Sequence, residues 1–496
     1  MSKKVAIIGS GFAGLTAAIS LADKGFKVTI IEKNQTVGGR ARKFEQNGFT
    51  FDMGPSWYWM PDVFENFFNK FGKSSSDYYD LVRLDPSYRV FFSDNDFIDL
   101  PANYDKLGQL FEEIEPGSSI RLNEFLRQAA YKYDVGINDL VFKPGRSLLE
   151  FVDKRVLGGV FRMDLFQSMS NHIRKFFKNE RLIQLLEFPV LFLGATPENT
   201  PALYSLMNYA DINLGTWYPK GGMHNVIEAL HALAIEKGVC IKTNQSVVKL
   251  EVTDSRVSSV ITSNDSYDFD IVVAGADYNH VEQHLLEPQY RQYSAKYWEN
   301  RDMAPSSLIF YLGINKKLKN LLHHNLFFDE DFKAHAKEIY DSPRWPSKPL
   351  FYVSVTSKTD DTVAPKGGEN VFILMPIAPG LEDDESIRDT YYELLIDRLE
   401  HLTKQPIKDH VIMKKSYCIR DFIKDYNAFK GNAYGLANTL KQTAILKPSM
   451  KSKKLKNLYY AGQLTVPGPG VPPSIISGQV VANEVEKDFS LTKLFA

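Results

Sequence analysis

Cysteine is nearly absent: Cys240 and Cys418 are the only two in 496 residues, and they form no CxxC pair. That excludes a disulfide framework and suits a reducing compartment. Net charge is equally scarce, since 59 Lys and Arg against 60 Asp and Glu leave -1. Nothing in the charge balance calls for nucleic acid as a partner. The ten histidines contain no HExxH, and His323-His324 has no evident partners for a metal. A phosphate-binding lysine loop fails at Gly72-Lys73-Ser74, where position 67 is Phe instead of Gly. Apolar runs long enough for a bilayer span are missing, and the short run after Lys3-Lys4 does not read as a signal peptide. What remains is a globular chain, 44% hydrophobic and 24% charged, with room for about two or three domains.

The first forty residues organise the rest. Val5–Ile8 is a short apolar strand that breaks at Gly9-Ser10-Gly11-Phe12-Ala13-Gly14 and continues as an apolar helix. A second strand, Val28–Ile31, ends on Glu32. Strand, glycine turn, helix, strand and acid form the arrangement that holds an ADP moiety. Gly9 allows the turn, Gly11 has no Cβ to block a pyrophosphate, and Gly14 lets the helix lie close on the sheet. Glu32 is placed to accept from a ribose diol. Beyond it, Val37-Gly38-Gly39-Arg40-Ala41-Arg42 adds a second glycine pair and two cations. Arg40 and Arg42 suit a phosphate or a flavin edge. A nicotinamide dehydrogenase needs no such second loop, so the dinucleotide expected is FAD.

Further on, Phe49–Asp52 and Gly54-Pro55 end a hairpin, and Trp57-Tyr58-Trp59 follow. Three consecutive large aromatics cannot share one side, so some of them are expected to line a cavity and not to fill the core, and Trp57, Tyr58 and Trp59 are the candidates for a substrate pocket. Val63, Phe64, Phe67, Phe68 and Phe71 mark an amphipathic helix. Tyr88–Phe92 and Asp96–Leu100 read as paired strands. Residues 140–235 read as mostly helical and greasy, with Arg174, Lys175, Lys178 and Arg181 beside the apolar run to Leu193, a pattern suited to a lipid interface. Asp270–Asp277 is a buried-type parallel strand. Near the end, Tyr459-Tyr460-Ala461-Gly462 enters the rigid loop Pro467-Gly468-Pro469-Gly470-Val471-Pro472 and then a helix, a second contact with the cofactor.

The expected fold is α/β: a Rossmann-like FAD-binding domain, a mixed-sheet substrate domain and a helical, membrane-facing subdomain. The boundaries expected are 1–85, 236–280 and 451–496 for the FAD domain and its return strands. Residues 86–139 and 281–450 would form the substrate domain, and 140–235 the helical part.

The motifs Gly9-x-Gly11-x-x-Gly14, Glu32, Gly38–Arg42, Phe51–Pro55 and Gly462 with Pro467–Pro472 resemble the FAD-binding ends of the bacterial and fungal-type carotenoid desaturases. The Trp57–Phe64 run resembles the phytoene desaturases of the Bacteroidetes-like branch. The likeness spans essentially the whole chain and is most specific at its ends. It implies a flavin amine oxidase-like fold with non-covalent FAD. The cofactor-binding set is then Gly9, Gly11, Phe12, Ala13, Gly14, Glu32, Lys33, Gly39, Arg40, Gly54, Val247, Gly462 and Val471. It also implies a long apolar polyene substrate, phytoene dehydrogenated stepwise toward lycopene. The expected location is cytoplasmic, peripheral to the inner membrane and in contact with membrane lipid. Relatives carry a Thr-His-Pro-Gly-Ala-Gly turn, whereas Val466 stands here in the histidine's place, so no histidine is given a catalytic role.

Desaturation removes a hydride-equivalent, to flavin N5, and a proton. No base is nominated: Asp52 lies near the motif, but capping a helix or fixing a loop suits it at least as well. One dinucleotide fingerprint implies no bound NAD(P)H, so electrons are expected to pass to quinone or oxygen. Alternatives are a hydroxycarotenoid 3,4-desaturase, a related isomerase or saturase, a flavin amine oxidase and a non-enzymic FAD-binding scaffold.

Overall fold

The computed structural model describes residues 2–147, 150, 167–439 and 442–489. In chain order its principal strands begin with Lys4–Ile8 (β1), Lys27–Ile31 (β2), Tyr88–Ser93 (β3), Asp96–Leu100 (β4), Cys240–Lys242 (β5) and Ile271–Ala274 (β6). Ser306–Ile314 (β7), His324–Phe327 (β8), Phe351–Ser354 (β9), Glu369–Ile377 (β10), Val411–Tyr417 (β11) and Leu458–Tyr460 (β12) follow.

Five of these form one parallel sheet in the order β12-β6-β1-β2-β5. Val5–Ile8 and Ile271–Ala274 are buried throughout, as central strands covered on both faces must be. Helix α1, Phe12–Asp23, leaves β1 through the glycine turn. Val471–Phe489, the long helix near the C-terminus, crosses it where Gly478 stands. A Cβ on Gly478 would lie 2.1 Å from Thr16 Oγ1 and 2.6 Å from the Ala13 carbonyl oxygen, so only glycine permits this approach. β1 sits between β6 and β2, which places the ligand crevice at its carboxyl end.

The second sheet is mixed, in the order β11-β7-β10-β9-β8-β3-β4. All its neighbours run antiparallel except β8 with β3. Val247–Thr253, Arg256–Thr262 and Ser266–Asp268 form a smaller antiparallel sheet. Helices Tyr104–Ile114 and Ser118–Asp134 break at Glu115–Gly117, where Gly117 has φ +76°.

The greasy stretch turns inward. Met169, Ile173, Phe177, Leu182, Ile183, Leu185, Leu186 and Phe188 are buried in the main core. Arg174 pairs with Glu180 at 2.6 Å and Arg181 with Asp96 at 2.8 Å. The described part of this segment therefore spends its apolar side on packing, and two of its four cations on neighbouring carboxylates. Residues 148, 149 and 151–166 of the expected helical subdomain lie outside the described residues. Among the described residues no helix is long and apolar enough to cross a membrane.

Candidate active site

One continuous cavity runs from the carboxyl end of β1 to the face of the second sheet. At its nucleotide end the turn Gly9–Ala13 meets Glu32, Lys33 and Val247. Gly9 adopts φ +93°. The N-terminus of α1 has no side-chain cap and no acidic residue in its first turn, so its N–H groups face the cavity with the positive end of the helix dipole. A pyrophosphate fits that position. Gly14 does not line the cavity. A Cβ there would stand 2.0 Å from the Gly9 carbonyl oxygen, so its role is to seat the helix on the turn.

Glu32 lines the cavity with its carboxylate already engaged. Ser10 N–H and Oγ–H donate to Oε2 at 2.8 and 2.6 Å, and Asn34 N–H and Nδ2–H donate to Oε1 at 2.8 and 3.0 Å. A carboxylate offers about four lone-pair sites, so a ribose hydroxyl would share or replace one of these donors. Lys33 also borders the cavity, but its Nζ donates to the Lys424 carbonyl oxygen and to Asn427 Oδ1.

The second glycine loop closes on the first. Gly38 N–H donates to the Ser10 carbonyl oxygen at 3.0 Å, and a Cβ on Gly39 would stand 3.1 Å from Gly11 Cα. Gly54 is as tightly held, since a Cβ there would meet the Arg40 carbonyl oxygen at 2.6 Å. The two cations divide. Arg40 lines the cavity and donates from Nη2 to the Asn432 carbonyl oxygen, while its buried Nε has no partner among the described residues. Arg42 turns away to Asp425 at 2.5 Å and to Tyr426, contrary to the expectation that it meets phosphate or flavin. From the other end of the chain, Gly462, Pro469, Gly470 and Val471 border the same cavity. Gly462 N–H donates to Ser477 Oγ at 2.9 Å, which ties the loop to the helix that follows.

Beyond this end the cavity floor is the second sheet. Ile309 on β7, Leu374 on β10, Tyr352 on β9 and Leu326 on β8 are direct cross-strand partners and form one row. All four line the cavity, with Trp57, Trp59, Phe188, Phe328 and Phe332 around them. The cavity's carboxylates, Glu32, Asp277 and Asp425, do not belong to this row. His335 is also there, but both ring nitrogens are used: Nε2 bonds the Pro376 carbonyl oxygen and Leu350 N–H donates to Nδ1. Burial pushes its pKa down to about 4, so it is a neutral wall residue.

Two expectations are corrected or narrowed. Tyr58 is not a pocket residue. It is fully buried, stacked on Phe64 at 4.2 Å, with its hydroxyl 2.8 Å from Tyr79 Oη. Strand-like alternation sends Trp57 and Trp59 to the cavity and Tyr58 to the core. Asp52 lies outside the cavity lining and caps a helix. Its oxygens accept from Met223 N–H at 2.7 Å and His224 N–H at 2.9 Å, at the start of His224–Glu236. Burial raises its pKa to about 6, against those two hydrogen bonds.

The sequence reading missed Gln245, Ser246, His280 and Asn427 at the nucleotide end, and Met207, Ile339, Tyr340 and Tyr434 at the apolar end. None belongs to a motif. Each reaches the cavity only because distant segments pack together.

The chain matches the flavin containing amine oxidoreductase family over residues 12–486. It is 41% identical over 487 residues to a carotenoid 3,4-desaturase of Haloarcula japonica, covering 98% of both chains. It is 30% identical over 491 residues to a zeta-carotene-forming phytoene desaturase of Myxococcus xanthus, covering 97% of this chain and 94% of that one. Among solved structures, an oxidoreductase from Methanosarcina mazei superposes with TM-score 0.64 at 16% identity, covering 97% of this chain and all of that one.

Proposed function

The chain belongs to the flavin containing amine oxidoreductases and, within them, to the carotenoid desaturases, and from that premise we propose that it introduces the 3,4 double bond into an acyclic carotene hydroxylated at one end. The cofactor is FAD and the protein is a flavin-dependent oxidoreductase. The observation that carries the finer assignment is the 41% identity to a carotenoid 3,4-desaturase along 98% of both chains. The apolar sheet floor supports a hydrocarbon chain as substrate, and it offers no carboxylate to hold the ammonium of an amine.

Desaturation of a CH2–CH2 unit requires a hydride-equivalent and a proton to leave, and bound FAD supplies the hydride acceptor. The Gly9–Ala13 turn, Glu32, Gly39, Arg40, Gly54, Val247, Gly462 and Val471 would hold that cofactor from both ends of the chain. Trp57, Trp59 and the row Ile309–Leu374–Tyr352–Leu326 would align the polyene and exclude water. We assign the chain orientation rather than a side-chain base, because Asp52 caps a helix and His335 has both nitrogens bonded.

A second reading, stepwise dehydrogenation of phytoene toward lycopene, is favoured by the relative from Myxococcus xanthus. Pigment profiles separate the two. In cells supplying a hydroxylated acyclic carotene, the first reading expects a product with one more conjugated double bond and phytoene left untouched. Lycopene formed in cells making only phytoene would replace it with the second. Quinone or oxygen as electron acceptor is proposed on the single dinucleotide fingerprint, and a peripheral, lipid-contacting location on the substrate's insolubility in water. Liposome flotation tests the location, and absence of binding at every lipid composition would overturn it.

A further inference from the structure

Tyr352 is the one hydroxyl in the row Ile309–Leu374–Tyr352–Leu326. Its side chain lines the cavity, and its Oη lies 2.6 Å from His324 Nδ1. His324 stands in the next row, directly opposite Ser354, and is fully buried. Its ring stacks on Trp57, with centroids 4.0 Å apart and an interplanar angle of 11°. The imidazole is thus clamped between an aromatic face and a tyrosine hydroxyl. Its Nε2 has no hydrogen-bond partner among the described residues.

Resting on the desaturase reading, we propose that the His324–Tyr352 pair is a specificity element: Tyr352 Oη hydrogen-bonds a neutral oxygen at the reacting end of the polyene, and His324 positions it. A histidine and a tyrosine are costly to bury in an otherwise apolar floor, and the Tyr352 hydroxyl, the member of the pair that lines the cavity, has hydrogen-bonding capacity beyond its bond to Nδ1 to offer a ligand oxygen. Either tautomer of His324 leaves the tyrosine serviceable. If Oη–H donates to Nδ1, the oxygen accepts from a substrate hydroxyl. If Nδ1–H donates to Oη, the tyrosine proton is offered to a substrate oxygen.

Charge selects the ligand's class. Burial and the neighbouring His323 drive the His324 pKa well below its ordinary value. Burial likewise holds Tyr352 protonated, with the Ser354 and Ser56 hydroxyls acting the other way. A pair neutral on both sides suits an alcohol or carbonyl and gives no counter-charge to an ammonium or carboxylate.

Position selects where that oxygen sits. An end hydroxyl on C1 is separated by C2 alone from the C3–C4 bond, so its partner must lie close to the reacting carbons and not at the far end of a long tunnel. Ser56, which neighbours the Tyr352 hydroxyl, is two residues from Gly54 in the cofactor loop, and both line the cavity. The polar pair therefore sits on the cofactor side of the floor.

The test compares kcat/KM for a C1-hydroxylated acyclic carotene and for its counterpart without the oxygen, in wild type, Tyr352→Phe and His324→Phe. The first variant removes only the hydroxyl, and the second keeps a ring against Trp57. We expect wild type to favour the hydroxylated substrate and each variant to lose about tenfold or more of that preference. A general loss of packing would lower both substrates together and leave the ratio in place. Retention of the wild-type ratio by Tyr352→Phe with full FAD content would overturn the proposal. Conversion of neither carotene by flavin-loaded wild type would instead remove the desaturase reading, and the specificity element with it.

Discussion

Gly11 and Gly39 meet backbone to backbone: a Cβ placed on Gly39, at φ +56°, would stand 3.1 Å from Gly11 Cα. The two glycine loops are thus one unit, and the contact is what brings Arg40 beside the α1 N-terminus.

Substituting Gly11→Val should act on the cofactor side, by filling the space beside the α1 N-terminus that a pyrophosphate needs; toward the second loop a Cβ there makes only an ordinary contact, 4.0 Å from Gly39 Cα. We expect protein that folds but purifies without yellow colour. The check is the flavin absorbance relative to protein absorbance after denaturation and filtration; a variant with a full complement of FAD would sink the idea.

Tyr58→Phe tests the corrected placement of the aromatic run. It removes the bond between the two hydroxyls and leaves Tyr79 with the Ser75 side chain, so it should cost about 0.5–1.5 kcal/mol in chemical denaturation. Flavin content and carotene turnover should stay at wild-type levels, because Tyr58 faces the core. A change in substrate preference would return Tyr58 to the pocket.

Asp211 supports the cavity wall from behind. Tyr88 donates to it at 2.7 Å and Thr216 at 3.2 Å, and Trp59 Nε1–H donates to that same threonine oxygen at 2.8 Å. Burial raises its pKa from 3.8 to about 7, outweighing those two hydrogen bonds. The folded state then binds the proton more tightly than the unfolded chain, so stability from this group falls as pH rises from about 4 to about 7. The effect is of order 4 kcal/mol across that window. Asp211→Asn should remove the slope: its Tm relative to wild type should rise between pH 5 and pH 8. A difference independent of pH would show that Asp211 ionises normally.

Lys447 has the opposite sign. It is buried, its Nζ lacks a partner among the described residues, and burial lowers its pKa from 10.5 to about 7. Between about 7 and 10.5 the unfolded chain binds the proton and the folded one does not, so this group's contribution rises with pH. Lys447→Met should raise Tm by several degrees near pH 6, with the gain shrinking as pH approaches 10. Thermal unfolding across that range measures it, and a loss of Tm at pH 6 would mean that the ammonium has a stabilising partner.

The local features were legible in the sequence wherever chemistry demands particular residues in a short span. Gly9, Gly11, Glu32, Gly39 and Arg40 lie within one βαβ unit and its following loop, and the need for positive φ or close approach limits their identity. Val5–Ile8 and Ile271–Ala274 read as buried parallel strands because both faces are covered, which requires unbroken apolar runs. Gly462 and Val471 were visible for the same reason, through a Pro/Gly loop opening a helix.

Tertiary structure alone decided the rest. A run such as Trp57-Tyr58-Trp59 carries no mark of which face meets a cavity; the pleat of the chain against the second sheet separated them. Arg40 and Arg42 are alike in sequence, and only the position of Asp425, nearly four hundred residues away, draws one of them off. The greasy stretch from Met169 to Phe188 has the same composition whether it faces lipid or a core, and packing turned its apolar side inward. The Ile309–Leu374–Tyr352–Leu326 row comes from four strands whose register is set by hydrogen bonds across the sheet. Periodicity along any one strand cannot reveal the side chains that a neighbouring strand places beside it.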